Sequence, residues 1–153
     1  MYLLDTNVVS ELRKVVAGKA DACVATWQAQ VDHSTCFVSA ITLMELETGV
    51  LRMERRDARQ GTLLRAWLEN SVLPEFAGRV LPVDEAVARH CARLHVPEPC
   101  PECDALIAAT ALAHGLTLVT RNAADFVRTG VRLLNPWEAG TVQEPVARYG
   151  IHD

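Results

Sequence analysis

Short apolar runs alternate with helix-period segments along this chain, and that alternation leaves few folds open. Tyr2–Leu4, residues 36–38, Val80–Leu81, residues 116–119 and residues 131–134 read as strands. The segments between them carry helical spacing. One helix is expected over residues 8–16 and a second over 21–30, the latter with Val24 and Trp27. A third starts at Ser39 or Thr42 and presents Leu43, Leu46, Val50 and Met53 on one face. A fourth holds Leu63, Leu64, Trp67, Leu68 and Val72 and stops before Pro74. Asp84 caps the next, with Val87, Cys91 and Leu94. Three prolines keep residues 97–101 out of any helix. Asp104 then opens a helix over 105–114, which Gly115 closes, and Asn122 starts a short last one. Five short strands separated by helices call for a parallel sheet covered on both faces, a three-layer α/β/α arrangement. At 153 residues the chain suits one core. The pattern fades after Trp137, so residues 1–137 are expected to form the domain and 138–153 an arm or tail in which Val146 and Tyr149 are candidates to dock.

Composition narrows the function classes. No apolar run approaches the ~20 residues of a membrane-spanning helix. The N-terminus meets Asp5 at once with no basic stretch before it, unlike a signal peptide, so no membrane partner and a cytoplasmic location are expected. Five cysteines are an odd number without a dense framework, and reduced thiols follow. The cluster His90, Cys91, His95, Cys100 and Cys103 lacks the second matched pair of a structural zinc site, and buried or loop thiols are the favoured reading. A net charge of −4 argues against nucleic acid if only the sum counts, but the distribution of charge decides.

In open parallel sheets ligands bind beyond the carboxyl ends of the strands, where helices begin. Acids gather at those ends. Asp5 ends the first strand, Glu45 lies one turn into the helix after the second, Asp104 opens the helix before the fourth, and Asp125 follows that strand. Each has a structural role to fall back on. Asp5 and Asp104 suit helix N-caps, Thr42-x-x-Glu45 suits a capping box, and Asn122-x-x-Asp125 resembles one. Together they are harder to explain. Two carboxylates 4 Å apart repel by about 4 kcal/mol at an effective dielectric near 20, and a helix dipole offsets at most about 1–2 kcal/mol of that. A divalent cation is the economical remedy, and oxygen-only ligands select Mg2+ or Mn2+.

Four stretches then resemble a known family. Leu3-Leu4-Asp5-Thr6-Asn7-Val8, Ser39-Ala40-Ile41-Thr42-x-x-Glu45-Leu46, residues 104–111 (DALIAATA) and Leu118-Val119-Thr120-Arg121-Asn122 are similar to the motifs of the PIN-domain nucleases. The resemblance is to the VapC toxin group, in particular its FitB-like branch, and spans residues 2–137 in order. It implies a PIN-like three-layer fold and a Mg2+- or Mn2+-dependent endoribonuclease, the toxin of a toxin–antitoxin pair. Asp5, Glu45 and Asp104 match the metal-binding acids, and Thr6 and Thr120 match the hydroxyl positions beside them. The fourth acidic position falls to Asp125, with Asn122 as the alternative. RNA is the implied substrate, an antitoxin encoded nearby the implied partner, and a homodimer the implied assembly.

The residues leave some choices open. Arg52, Arg55, Arg56 and Arg59 make one basic stripe if a single helix runs through them, although Glu54 and Asp57 interleave. Arg121 lies nearer the acids and is the better candidate for a phosphate contact, with Thr6 and Asn122 beside it. An RNA-processing nuclease without an antitoxin, or a PIN module that binds without cutting, stays in view. Other classes fit less well. A dehalogenase-type phosphatase needs a second Asp where Asn7 stands, and residues 6–14 contain no glycine for a dinucleotide loop.

Overall fold

The computed structural model describes residues 1–138 and 142–145. Strand β1 (Tyr2–Leu4) leads into α1 (Thr6–Leu12), then α2 (Ala22–Gln30) and β2 (Cys36–Ser39). A helical hairpin follows, α3 (Ala40–Arg56) and α4 (Ala58–Trp67), continued by a π-helical turn at Leu68–Val72 and the short α5 (Leu73–Glu75). Next come β3 (Val80–Leu81), α6 (Glu85–Leu94), α7 (Glu102–His114), β4 (Thr117–Val119) and α8 (Ala123–Phe126). Strands β5 (Leu133–Leu134) and β6 (Val142–Gln143) complete the sheet.

The sheet order is β3-β2-β1-β4-β5-β6, parallel except at β6. Six strands therefore replace the expected five. The extra one is exposed and pairs antiparallel with β5, Leu134 opposite Val142. Two polar-flanked residues carry no strand periodicity of their own, so only the free edge of β5 recruits them. Part of the expected arm is thus tied to the sheet, while Val146 and Tyr149 lie outside the described residues.

Alternation along β1 splits the core into two faces. Leu4 points with Val8, Val38, Val50, Val72 and Val119 toward the α1–α4 side. Leu3 points the other way, onto Ile107, Ala108 and Ala111 of α7 and onto Phe126. The alanines let α7 lie close on the sheet, and Gly115 ends it in the left-handed region at φ 65°. A third, smaller cluster packs Val87 and Cys91 of α6 against Ala105 and Ala109 of α7.

The turn of the hairpin settles the arginine pattern. Asp57 has extended backbone (φ −150°, ψ 100°), and its side chain caps α4 by accepting from the Arg59 and Gln60 amides. Arg52, Arg55 and Arg56 therefore end α3 while Arg59 begins α4, and no single helix carries a four-arginine stripe. Asp is a stronger cap than a helix-interior residue, so the local bond wins over the periodicity. The two helices close tightly. A Cβ on Gly61 would stand 2.5 Å from Glu54 Cα, and Arg65 on α4 donates to Glu47 (2.8 Å) and Glu54 (2.9 Å) on α3.

Candidate active site

The strand order reverses between β1 and β4, because the chain leaves β1 for β2 on one side and returns to β4 on the other. Such a switch point opens a crevice at the carboxyl ends of the strands. Asp5 and Thr120 stand there, immediately after β1 and β4. A backbone bond joins the two ends, with Asp5 N donating to Val119 O (2.9 Å), and Thr120 N donates to Leu134 O of β5 (3.0 Å).

Asp5 is 6% exposed and Thr120 fully buried. The Thr120 hydroxyl donates to Asp5 Oδ2 at 2.7 Å, and the Thr6 amide donates to Oδ1 at 2.8 Å. The same hydroxyl accepts the Asn122 amide at 3.1 Å. Burial raises the Asp5 carboxyl above the usual carboxylate range; the Thr120 and Thr6 bonds offset part of this, and the charge of Glu45 adds to it. Capping of α1, expected of Asp5, is present, but it engages one oxygen only.

Glu45 reaches the site from α3. That helix is capped by Ser39, whose hydroxyl accepts the Ile41 amide, and not by Thr42. The expected capping box at Thr42 and Glu45 is therefore absent. Both side chains turn to α1 instead, where the Thr6 hydroxyl donates to Glu45 Oε1 at 2.8 Å and lies 3.3 Å from the Thr42 hydroxyl. Asp104 also differs from its expected capping position. Helix α7 starts three residues earlier, at Glu102 after Pro101, which puts Asp104 in the first turn. Pro101 needs no amide partner and suits that start. Burial raises the Asp104 carboxyl first, then the charges of Asp5 and Asp125. Asp125 is exposed in the first turn of α8, and Asn122, at the N-cap position, makes no side-chain capping bond.

Asp5, Glu45 and Asp104 are thus neighbours of one another or of Asp125 through their fields, and among the described residues none of the four acids has an ion-pair partner. No three His, Cys, Asp or Glu side chains among the described residues are already gathered into a ligand cage. Carboxylates without a counter-charge repel, so open spacing is what this composition dictates. The donor set fits a hard divalent cation: carboxylate and hydroxyl oxygens, partly desolvated, with excess negative charge.

Arg121 follows Thr120 and is exposed. Its guanidinium stacks 5.2 Å over the Trp137 ring, and its carbonyl accepts from Asn135 Nδ2 at 3.2 Å. Two residues were not foreseen as part of the site. Asn7 Oδ1 accepts the Arg121 amide at 3.3 Å, and its Nδ2 makes long contacts of 3.4 Å to Asp5 Oδ2 and 3.5 Å to Thr120 Oγ1. Thr42, fully buried, faces Thr6. Their signal was their place inside the motifs, two residues after Asp5 and three before Glu45. The cysteines are all free, and Cys91 Sγ lies 3.7 Å from His95 Nε2.

Comparison with known proteins bears on the family and the fold. The PIN domain family matches residues 2–131. A VapC ribonuclease of Sinorhizobium fredii is 39% identical over 143 residues, covering 90% of this chain and 99% of that protein. Toxin FitB of Neisseria gonorrhoeae is 38% identical with the same coverage. Among solved structures, FitAcB from Neisseria gonorrhoeae superposes with a TM-score of 0.81 at 36% identity, over 90% of this chain and 99% of that one. Family match, relatives and fold coincide over nearly the whole length: this chain belongs to the PIN-domain family, with its VapC and FitB toxin members as relatives.

Proposed function

We propose that this chain is a divalent-metal-dependent endoribonuclease, using Mg2+ or Mn2+, and the toxin of a toxin–antitoxin pair. The observation that carries the reading is Asp5, a buried carboxylate without an ion-pair partner among the described residues, set at the switch point between β1 and β4 with further acids around it. The names of the relatives, a VapC ribonuclease and a FitB toxin, support the activity and the role. Residues 1–137 would be the nuclease unit and 138–153 an arm. The partners would be RNA, a cognate antitoxin protein and a second copy of the chain, in the cytoplasm. No helix among the described residues is long and apolar enough to cross a membrane.

In this reading Asp5 and Asp104 would hold the cation, with Glu45 and Asp125 at its edge. When bound, the cation supplies charge neutralisation at a scissile phosphate and Lewis acidity toward water. The chain's own residues do the positioning. Thr120 orients Asp5 through its hydroxyl and holds the Asn122 loop by accepting the Asn122 amide. Thr6 orients Glu45. Arg121, fixed on Trp137, presents a guanidinium to a phosphate of the RNA strand, with Thr6 and Asn122 as polar neighbours.

Cleavage of total RNA with cut sites mapped, by wild type and Asp104→Asn, tests the activity. Wild type should cut with Mg2+ or Mn2+ and stop with EDTA, and Asp104→Asn should be inactive while folded. Cleavage that survives EDTA sinks the mechanism. Growth arrest on expression, relieved by a small protein encoded immediately upstream, tests the toxin role.

A further inference from the structure

Helix α7 delivers Asp104 from a loop poor in backbone donors of its own. Pro97, Pro99 and Pro101 have no amide hydrogen, so three of the seven residues between α6 and α7 have nothing to donate. One end is fixed by the Cys100 amide, which donates to His95 Nδ1 at 3.1 Å. The other anchor comes from across the site. Arg128, on the 3-10 turn Val127–Thr129 directly after α8, donates through Nη2 to the carbonyl of Glu98 at 2.7 Å and to that of Pro99 at 3.4 Å. Its Nη1 lies 4.0 Å from Glu98 Oε2. Among the described residues no other hydrogen bond joins this loop to the α8 turn.

The placement matters because each side of the clamp leads to an acid. Arg128 is three residues past Asp125, and the carbonyls it binds are five and six residues before Asp104. Asp125 is close enough for its charge to act on Asp104. A guanidinium this near could have neutralised one of them and competed with a cation. Its fork instead meets neutral carbonyls and Glu98, and makes no ion pair with either aspartate.

We propose that Arg128 is a positioning residue of the acidic site: by holding the Glu98 and Pro99 carbonyls it sets the separation of Asp104 and Asp125 that a divalent cation must span. This rests on reading the acids as a cation site, and the test separates the two claims. Mn2+ binding to the full chain is measured by titration calorimetry for wild type, Arg128→Ala, Arg128→Gln and Asp104→Asn, with RNA cleavage followed against Mn2+ concentration. Loss of an outer-shell partner typically weakens metal binding 10–100-fold. Arg128→Ala should fall on the order of 10-fold in Mn2+ affinity, with the Mn2+ activation curve displaced by the same factor and KM for RNA at saturating Mn2+ unchanged to about twofold. Arg128→Gln, which keeps one donor of similar reach, should lie between, and it decides the matter if the alanine variant does not fold. Wild-type Mn2+ affinity in the folded Arg128 variants overturns the proposal, and so does a raised KM at unchanged Mn2+ affinity, which would make Arg128 a substrate contact. Asp104→Asn binding Mn2+ as tightly as wild type refutes the site reading itself.

Discussion

Replacing Thr120 by Val keeps the shape of a fully buried side chain and removes one hydroxyl, which makes it a clean probe of how the chain tolerates Asp5. The hydroxyl donates to Asp5 Oδ2 at 2.7 Å and accepts the Asn122 amide at 3.1 Å. A hydrogen bond to a charged group contributes about 1.5–3 kcal/mol, and here the acceptor stays buried when the donor goes. At neutral pH, with metal removed, the variant should therefore lose about 2 kcal/mol, a fall in Tm of roughly 4–8 °C for a domain of this size. The pH dependence carries the sharper test. Burial raises the Asp5 carboxyl in the native state, and Thr120 counters part of that, so the variant's carboxyl lies higher still. A native carboxyl raised above its unfolded value means the native state binds the extra proton, so stability falls as pH rises through that interval. The fall continues to a higher pH in the variant. The gap between the two proteins should be smallest below the unfolded value of 3.8, where the lost acceptor of the Asn122 amide still counts, widen as pH rises, and be constant once Asp5 is ionised in both. Thermal unfolding in EDTA at a series of pH values measures it. A gap of the same size at every pH would refute the claim that Thr120 acts on the charge of Asp5.

Other variants follow from the same geometry. Asp104 is raised by burial and by two like charges, so Asp104→Asn should make the metal-free protein more stable at neutral pH and equal to wild type at acid pH, while Mn2+ should raise Tm for wild type only. Differential scanning calorimetry with and without Mn2+ reads both effects. Gly61→Ala would gain about 1 kcal/mol if helix propensity ruled. Its new Cβ would meet the α3 backbone at 2.5 Å, so a net loss of about 1–2 kcal/mol is expected; urea denaturation showing a stabilised protein contradicts the tight α3–α4 approach. Thr6→Val frees Glu45 from its 2.8 Å donor and should lower kcat for RNA cleavage about 10-fold or more without unfolding the chain. Unchanged kcat removes Thr6 from the site.

How legible the site was depends on how far its bonds reach along the chain. Asp5, Glu45 and Asp125 could be singled out because each follows a local boundary between strand and helix, and Asp104 because it follows a proline-rich break between two helices; such boundaries show as changes of period. Their interpretation as caps was another matter. Thr42 and Glu45 satisfy the spacing of a capping box, yet Ser39 takes the cap and leaves both free to meet Thr6. A window of ten residues cannot see a bond that spans 39 positions, nor the 115 positions between Asp5 and Thr120. The Asp57 break had a local signal in the capping aspartate itself, which interrupts the regular spacing of the arginines.

The sequence by itself determined the order of strands and helices, the two faces of β1 and the identity of the acids, because hydrophobic period and capping chemistry act between near neighbours. Tertiary structure decided what those acids experience. Burial of Asp5 at the β1–β4 crossing, recruitment of β6 to a free edge and the hold of Arg128 on a proline-rich loop all depend on groups distant in the chain. Desolvation and hydrogen bonding are set by what surrounds an atom in space, and only the folded chain fixes those surroundings.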